Sequence, residues 1–380
     1  MVAALLVAGG LAHAGTVVVD PGGGGDYTTI GAAVTGAGSG DTIQVNAGTY
    51  TEQVALTPGK NLTFAGAGAD VVTWVAPVGG TCLVGSMEGY TGTMSYEISG
   101  FTFNCRSEAA TGHGTGIQMV RASSGPMSLD IHHNRFVEDR TSGDSDHWAT
   151  SMWLCHNRYA ARDAGTGAGA VRVHDNVDET WGGLTMSNSQ AYDITDNTFA
   201  GCSDAIYNGH GCPDAAGNTL GDHRICGNTF QDASDSLHPG SKTPAIDWQY
   251  YGGGGATHLP SVICENLFYD NDTAIRIEMG TDMTYPAHVI TDNNFIDNGT
   301  ALTVGGDFAS TVNAQGNFWG ADDGPGPVGP GSGDPISTYV DYGSFATGPI
   351  AGVPVPEPTT MTLLGLGGLG VLWRRRRKGA

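Results

Sequence analysis

Charged side chains are scarce in this chain, and basic ones are the scarcest. Only 14% of the 380 residues are charged, with 38 acidic against 16 basic residues and a net charge of −22. Without residues 355–380, which hold Glu357 and the basic run 374–378, the chain keeps 37 acidic and 11 basic residues, a net charge of −26. Such a body repels nucleic acid and anionic lipid, which excludes nucleic acid as a partner.

The common catalytic motifs are missing as well. The sequence has no P-loop, no nucleophile elbow and no HExxH helix. The metal candidates are Asp144 and Asp146 in GDSDHW, and Ca²⁺ is the one cofactor that this acidic chain could bind. The alternative interpretation is a solvated acidic loop with no metal.

Cysteine is sparse, with seven residues and no CxxC spacing. Cys202 and Cys212 would close a short loop as a disulfide. Cys155, Cys226 and Cys264 each stand two residues before an asparagine of a repeated phrase, which indicates a shared strand position. The sequence therefore predicts structural cysteines, with at least one thiol left unpaired.

What the chain does contain is one short phrase repeated eight times: an apolar residue, two variable residues, asparagine, one residue, and usually an aromatic. Gaps of 19 to 38 residues separate the asparagines. Such spacing between β-forming segments is typical of a solenoid in which each repeat is one coil. Stacked amides can bond to the coils on either side. The predicted ladder is Asn134, Asn157, Asn176, Asn197, Asn228, Asn266, Asn293 and Asn317.

Both ends of the chain carry processing patterns. Residues 1–14 end in Ala-His-Ala and predict a signal peptide whose start is incomplete. At the other end, Val-Pro-Glu-Pro at 355–358 precedes an apolar run, 359–373, and a basic cluster, 374–378. This tail resembles a PEP-CTERM sorting signal. The resemblance implies export in a Gram-negative bacterium, transient anchoring in the inner membrane by the short segment 359–373, and cleavage by an exosortase.

The two ends of the remaining body resemble a known fold. VVVDPGGGGDYTTIGAAV and GDTIQVNAGTYTEQVAL near the start, and GNFWGADDGPGP at 316, are similar to pectin-lyase-like parallel β-helices. The resemblance implies an all-β, single-stranded, right-handed parallel β-helix of roughly ten coils, with a short N-terminal capping helix within 27–34. The predicted body is 15–346, followed by a linker over 347–354. The catalytic motifs of pectinesterases are absent, so that activity is not expected.

A second register lies between the asparagines. An aliphatic residue follows four of them by nine positions, namely Ile206, Leu237, Ile275 and Leu302. This spacing places insertions after the strand, at 208–222, 239–260 and 278–287. Long loops on a rigid scaffold often carry binding sites.

Alternation along these strands predicts an outward column. Its members are Tyr207, His238, Arg276 and Thr303, with Glu278 two positions further on and a loop that holds Asp247, Trp248 and Tyr250. Aromatic faces stack on sugars, and Arg or His binds carboxylates, so the column indicates a sugar-binding groove. The alternative is an exposed polar face whose loop aromatics pack against the wall.

His210 lies in a Gly-His-Gly that is also one element of the polygalacturonase signature. The aspartates that the family needs upstream are missing, because the preceding coil offers only Gly-Leu-Thr-Met at 183–186. His210 therefore remains a candidate for substrate contact, with a chance match as the alternative.

Two functions follow from the sequence. The first is an exported surface or matrix protein that interacts with polysaccharide and lacks a complete catalytic signature. The second is a polysaccharide lyase or glycoside hydrolase for an acidic polysaccharide, with His238 as base and Arg276 as the group that neutralises the uronate. In both, the membrane is contacted only through the C-terminal segment.

Overall fold

The computed structural model describes residues 14–85, 90–107, 114–120, 127–140, 149–155, 164, 166, 168–186, 191–210, 219–233, 244–250, 257–279, 285–306 and 310–356. In these ranges the chain winds through three parallel sheets in turn, and each turn in the middle of the body adds one strand to each sheet. The architecture is the predicted parallel β-helix.

Sheet 1 has twelve strands within the described ranges. It holds the apolar residues that begin most of the repeated phrases, and side chains along its strands alternate between the bore and the solvent. Its strands in spatial order are Thr16–Val19, Thr42–Val45, Leu62–Gly66, Met94–Ser99, Met127–His132, Val171–His174, Tyr192–Thr195, Arg224–Cys226, Val262–Cys264, Val289–Thr291, Val312–Asn313 and Val340–Asp341.

Sheet 2 follows the asparagine turn and has nine strands in the described part of the chain. Its strands in spatial order are Gly48–Thr51, Val72–Val75, Thr102–Ser107, Arg135–Arg140, Val177–Glu179, Thr198–Ala200, Thr229–Gln231, Leu267–Tyr269 and Asn294–Ile296.

Sheet 3 closes each coil and, within the described residues, has eleven strands. Its strands in spatial order are Val54–Ala55, Thr81–Gly85, Thr115–Val120, Thr150–Cys155, Leu184–Thr185, Ile206–His210, Pro244–Tyr250, Thr273–Met279, Leu302–Gly306, Gly333–Ile336 and Pro325–Pro327. A separate two-stranded pair, Thr219–Gly221 with Thr257–Leu259, lies between sheets 3 and 1 in sequence.

One helix, Ile30–Gly36, lies at the N-terminal end. Thr29 caps it, because its hydroxyl accepts a hydrogen bond from the Ala32 backbone N–H at 3.3 Å. The helix buries Ile30, Ala33 and Val34 and packs against the first strands of sheets 1 and 3. The predicted short N-terminal helix is confirmed, with its start three residues later than expected.

The bore is filled by inward-facing apolar residues that stack coil upon coil. On sheet 2 the aromatic position of the phrase forms a column, with Phe230, Phe268 and Phe295 at ring-centre distances of 4.9 Å. Asp178 interrupts this column between Phe136 and Phe199 and is buried. Burial raises the pKa of the Asp178 carboxyl to about 6, and hydrogen bonds from neighbouring hydroxyls oppose that rise.

The asparagine ladder joins sheets 1 and 2. After the first rung, each side-chain oxygen accepts from the backbone and the side chain of the asparagine one coil earlier, for example Asn228 from Asn197 at 3.0 and 2.9 Å. The residue before each rung takes a positive φ, as at Asp196 (56°), which Asp, Asn and Gly tolerate best. The ladder runs through Asn134, Asn176, Asn197, Asn228, Asn266, Asn293 and Asn317.

Asn157 is not a rung, and that prediction is wrong. The Asn134 backbone and side chain bond directly to Asn176, 42 residues later, because Met127–His132 pairs with Val171–His174. The phrase before Asn157 belongs instead to Thr150–Cys155 of sheet 3. Asn157 itself lies outside the described residues.

The predictions for the cysteines have different outcomes. Cys226 and Cys264 are paired in register and form a disulfide, which confirms their shared strand position. Cys155 belongs to sheet 3 and does not share it. The Cys202–Cys212 disulfide is wrong, because the Cys202 thiol is free and buried in the bore, where it donates to the Asp178 carbonyl oxygen at 3.3 Å. Cys212 lies outside the described residues.

Candidate functional site

The outer face of sheet 3 carries a continuous column of side chains, one from each coil. Strand register aligns them, and they alternate with inward residues such as Ile206, Ile246 and Ile275. The column, here called the polar column, consists of Gln118, Trp153, Thr185, Tyr207, Asp247, Arg276 and Thr303.

The register corrects the predicted place of His238. The strand that pairs with Ile206–His210 is Pro244–Tyr250, so Asp247 is opposite both Tyr207 and Arg276. The aliphatic residue nine positions after Asn228 coincides with the pattern by chance, because the insertion in this coil precedes the strand instead of following it. His238 lies outside the described residues, and its expected place in the column belongs to Asp247.

At the centre of the polar column a buried carboxylate faces a guanidinium. Arg276 Nε donates to Asp247 Oδ1 at 2.9 Å and Arg276 Nη2 donates to Asp247 Oδ2 at 2.6 Å. The Asp247 side chain is 2% exposed and that of Arg276 is 28% exposed. This bidentate pairing is the strongest geometry available to the two groups.

Three further side chains extend the pair into a network. Gln249 Nε2 donates to Asp247 Oδ2 at 2.6 Å, and Tyr207 Oη donates to Gln249 Oε1 at 3.3 Å. Glu278 Oε1 lies 3.7 Å from Arg276 Nε. Arg276 therefore shares its charge between two carboxylates, while Gln249 connects the ion pair to the half-buried tyrosine.

Burial and charge act in opposite directions on Asp247. Burial raises the pKa of the Asp247 carboxyl, the hydrogen bonds and charge of Arg276 lower it, and the charge of Glu278 raises it. The hydrogen bond to Asp247 raises the pKa of Arg276, with burial opposing it. Arg276 is therefore held firmly in its charged form, and its charge is already matched by carboxylates.

Two aromatic side chains stand on the same column beside this network. Trp153 is 40% exposed, and Tyr207 is half-buried, with Thr185 between them. The column therefore presents aromatic and hydroxyl groups on three consecutive coils and charged groups on the next two. The sequence reasoning missed Trp153 and Gln249, although strand alternation in SMWLC placed an outward tryptophan within reach.

Trp248 is a correction to the predicted loop. It lies inside the strand, points into the bore and is 1% exposed. Its ring packs 4.9 Å from His288 and 5.7 Å from His223, measured between ring centres. When the Asn208 amide is oriented so that its oxygen and its nitrogen both have partners, the oxygen accepts from Trp248 Nε1 at 2.9 Å. Trp248 cannot stack on a ligand, because alternation turns it away from solvent.

The remaining candidates are only partly visible. The backbones of His210 and Tyr250 are paired in register at the end of their strands, so the predicted loops at 208–222 and 239–260 begin later or contain a strand. The side chains of His210 and Tyr250, and the residues Asp144 and Asp146, lie outside what the structure describes. Among the described residues, no group of histidine, cysteine and acidic side chains is arranged to hold a metal ion.

The C-terminal motif is matched by the PEP-CTERM protein-sorting motif family over residues 354–377. This match confirms the predicted sorting signal and marks the chain as exported in a Gram-negative bacterium, with transient membrane anchoring before release to the surface and processing by an exosortase. In the described part of the chain, no helix has the length and apolar character to cross a membrane. The predicted segment 359–373 lies outside that part.

Comparisons with solved structures give distant likenesses. A pectin methylesterase from carrot is 13% identical, over 77% of this chain and 84% of its own, with a TM-score of 0.33. An alginate lyase from Paenibacillus sp. strain FPU-7 is 12% identical, over 87% and 99%, with a TM-score of 0.29. A mutant of the PL6 family alginate lyase AlyGC is 12% identical, over 90% and 59%, with a TM-score of 0.21. Curated protein sequences show no match.

Proposed function

We propose that this exported β-helix protein binds a neutral polysaccharide along the polar column of sheet 3, and that it does so without cleaving the chain. The observation that carries the proposal is the alignment of exposed Trp153 and half-buried Tyr207 on one face, with Thr185 between them. Exported and surface-held, the protein would act as an attachment point in the extracellular matrix.

The spacing of the coils suits an extended polysaccharide. Parallel strands lie about 4.8 Å apart, so Trp153 and Tyr207, two coils apart, are separated by roughly 10 Å along the axis. An extended polysaccharide that lies parallel to the axis would therefore place about one sugar residue against each side chain of the column. Aromatic rings stack on the apolar faces of sugars, and the Thr185 hydroxyl can bond to a sugar hydroxyl.

The charge of the face favours a neutral chain over an acidic one. Arg276 is the cation of the described column, and Asp247 already occupies its guanidinium with two hydrogen bonds. Glu278 lies beside the pair, and the charge of Asp204 also acts on Arg276. A uronate carboxylate would have to displace Asp247 and leave a buried charge unpaired, which is strongly unfavourable.

The same geometry weighs against the enzymatic alternative. In a lyase, Arg276 would have to neutralise the substrate carboxylate and His238 would have to remove a proton. The Arg276 guanidinium is already bonded to Asp247. A glycosidase would need the Asp247 carboxyl group free to act as acid or base, whereas this carboxylate accepts hydrogen bonds from Arg276 and Gln249. The enzymatic function nevertheless gives a distinct experimental outcome.

The test is affinity electrophoresis and isothermal titration of the purified protein with neutral glucans, galactomannans and xylans, beside pectate and alginate, with and without Ca²⁺. We expect at least one neutral polysaccharide to bind, with polyuronides at least tenfold weaker. Reducing-end release and absorbance at 235 nm should stay at the level of a blank. Failure to bind any neutral polysaccharide, or release of unsaturated ends from a polyuronide, would overturn the proposal.

A further inference from the structure

The outer face of sheet 2 changes character along the axis. In the middle of sheet 2, the outward column beside the aromatic one holds Arg135 and Val177, which are exposed, and then Thr198 and Thr229, which are half-buried. Its next three members are nearly inaccessible: Leu267 is 4% exposed, Asn294 0% and Phe318 7%. Side chains that point away from the bore become buried only if another segment covers them.

Residues 346–354, here called the strap, supply that cover. Ala346 continues sheet 2 beyond Phe318 through a parallel bridge, and the strap then returns to Asn294, with Val353 only 7% exposed. The Ile350 backbone N–H donates to Asn294 Oδ1 at 2.8 Å, and Asn294 Nδ2 donates to the Pro354 carbonyl oxygen at 3.3 Å. The oxygen and the nitrogen of the fully buried Asn294 amide are thus both hydrogen-bonded to the strap, as a buried polar group requires. Within the residues predicted as a linker, 347–354, the positions Ile350, Val353 and Pro354 are docked on the body.

The strap overlaps the sorting signal. The PEP-CTERM match begins at residue 354, and Pro354 is one of the two positions that Asn294 holds. The next residue, Val355, is 48% exposed. The folded body therefore holds, through a hydrogen bond, the first residue of the motif on which the sorting enzyme acts.

We propose that the strap is a restraint on processing, which the membrane-bound sorting enzyme must release from Asn294 before it can bind the chain upstream of Val355. An enzyme that binds an extended segment uses its backbone N–H and C=O groups. In the strap, the Ile350 N–H and the Pro354 carbonyl are already bonded to Asn294. The fraction of molecules with an open strap then limits the apparent affinity of the enzyme. This inference is independent of the glycan proposal.

The experiment follows processing of the full chain in a Gram-negative host that carries the sorting enzyme. Pulse-chase labelling gives the half-time for conversion to the shorter product. We expect Asn294→Ala to shorten it at least threefold, because both strap bonds are lost. Asn294→Asp keeps an acceptor for the Ile350 N–H but loses the donor to Pro354, so an intermediate half-time is expected. Thr229→Ala, in the same outward column but remote from the strap bonds, should match the unaltered chain.

A second variant keeps the test informative if Asn294→Ala disturbs the last coils. Val353→Asp loosens the strap from its own side and leaves the coils unchanged. Hydrogen exchange of the purified full chain should show faster exchange across 347–356 in both variants. Unchanged or slower processing in a variant whose strap exchanges faster would overturn the proposal, as would unchanged exchange at Ile350 in Asn294→Ala.

Discussion

The asparagine ladder and the polar column are both rows of polar side chains that cross consecutive coils, and they differ in every physical respect. The ladder is buried and uncharged, and each of its amides makes the same bonds as the next. The polar column is partly exposed and charged, and its residue type changes from each coil to the next. Repetition suits the ladder to holding coils together, while variety suits the column to recognising a ligand.

This difference predicts where a substitution affects stability and where it affects binding. A ladder residue has no exposed atom to offer, and its loss leaves buried partners unpaired. When a residue in the exposed part of the column is substituted, only its contact with a ligand is lost. The Asp247–Arg276 pair stands between these cases, since one partner is buried and the other is partly exposed.

The largest effect is expected in the ladder. Asn228→Ala removes the side-chain bonds to Ile194 and Asn266 and leaves the Asn197 backbone N–H unpaired, at a cost of about 4 kcal/mol in the free energy of unfolding. Urea unfolding followed by circular dichroism measures it. The exposed Asn313→Ala should change the free energy by less than about 0.5 kcal/mol. Equal effects of the two variants would contradict the ladder's role.

The next effect concerns Asp178 in the bore. Its pKa is about 6 when folded, against an ordinary value of 3.8. A folded-state pKa above the unfolded value means that the contribution of Asp178 to stability is most favourable below about pH 4, falls as the pH rises to about 6, and is lower by about 3 kcal/mol above it. Asp178→Asn should therefore raise the free energy of unfolding at pH 7.5 and leave it nearly unchanged at pH 3.5.

Unfolding curves at several pH values for this variant and for the exposed Asp196→Asn would test it. Asp334, whose pKa burial also raises to about 6, should contribute a further pH dependence of the same sign that remains in Asp178→Asn. A steep dependence that persists undiminished in Asp178→Asn would show that Asp178 is solvated in solution.

A smaller effect is expected at the ion pair. Arg276→Met leaves the Asp247 carboxylate buried without its counter-charge, which should cost about 2 kcal/mol of stability at pH 7.5. The double variant with Asp247→Asn should recover most of that loss, because the unpaired charge is gone. Thermal unfolding of the two single variants and the double variant gives the coupling. Additive losses would contradict a buried pair.

The smallest effect on the fold, and the clearest on binding, is expected at Trp153. Trp153→Ala should weaken binding of the neutral polysaccharide about tenfold, which corresponds to about 1.4 kcal/mol, with little change in stability. Titration against the polysaccharide that binds in the panel measures it. Tyr339→Asn removes an aromatic side chain that is 53% exposed and lies outside the column, and serves as the control. Equal losses in both variants would remove the column as the binding face.

Sequence reasoning reached the fold because the ladder is a local pattern. Asn197, Asn228, Asn266 and Asn293 each stand between an apolar residue and an aromatic one, and the same phrase produces the same turn wherever it occurs. Asn157 shows the limit of this reasoning. Its neighbours match the phrase, yet the strand before it belongs to sheet 3, because pairing partners and not the phrase decide the sheet.

The site was predicted less well for a related reason. Tyr207, Arg276 and Glu278 were placed correctly on the outer face, because their coils keep a constant spacing from the preceding asparagine. The coil between them has its insertion before the strand, so counting from Asn228 pointed to His238 instead of Asp247. Constant spacing can be read along the chain, whereas the side of the strand on which an insertion falls depends on the pairing.

The sequence by itself determined the parallel β-helix, its N-terminal helix and the sorting signal, because each rests on a short pattern whose physics is local: amide stacking, alternation and a compact motif. Only the tertiary structure decided that Asp247 holds Arg276, that Trp248 faces the bore and that Asn294 holds the strap. These contacts join residues 29 to 60 positions apart. Their geometry follows from which strands pair, and pairing minimises the free energy of the whole solenoid, not of any one repeat.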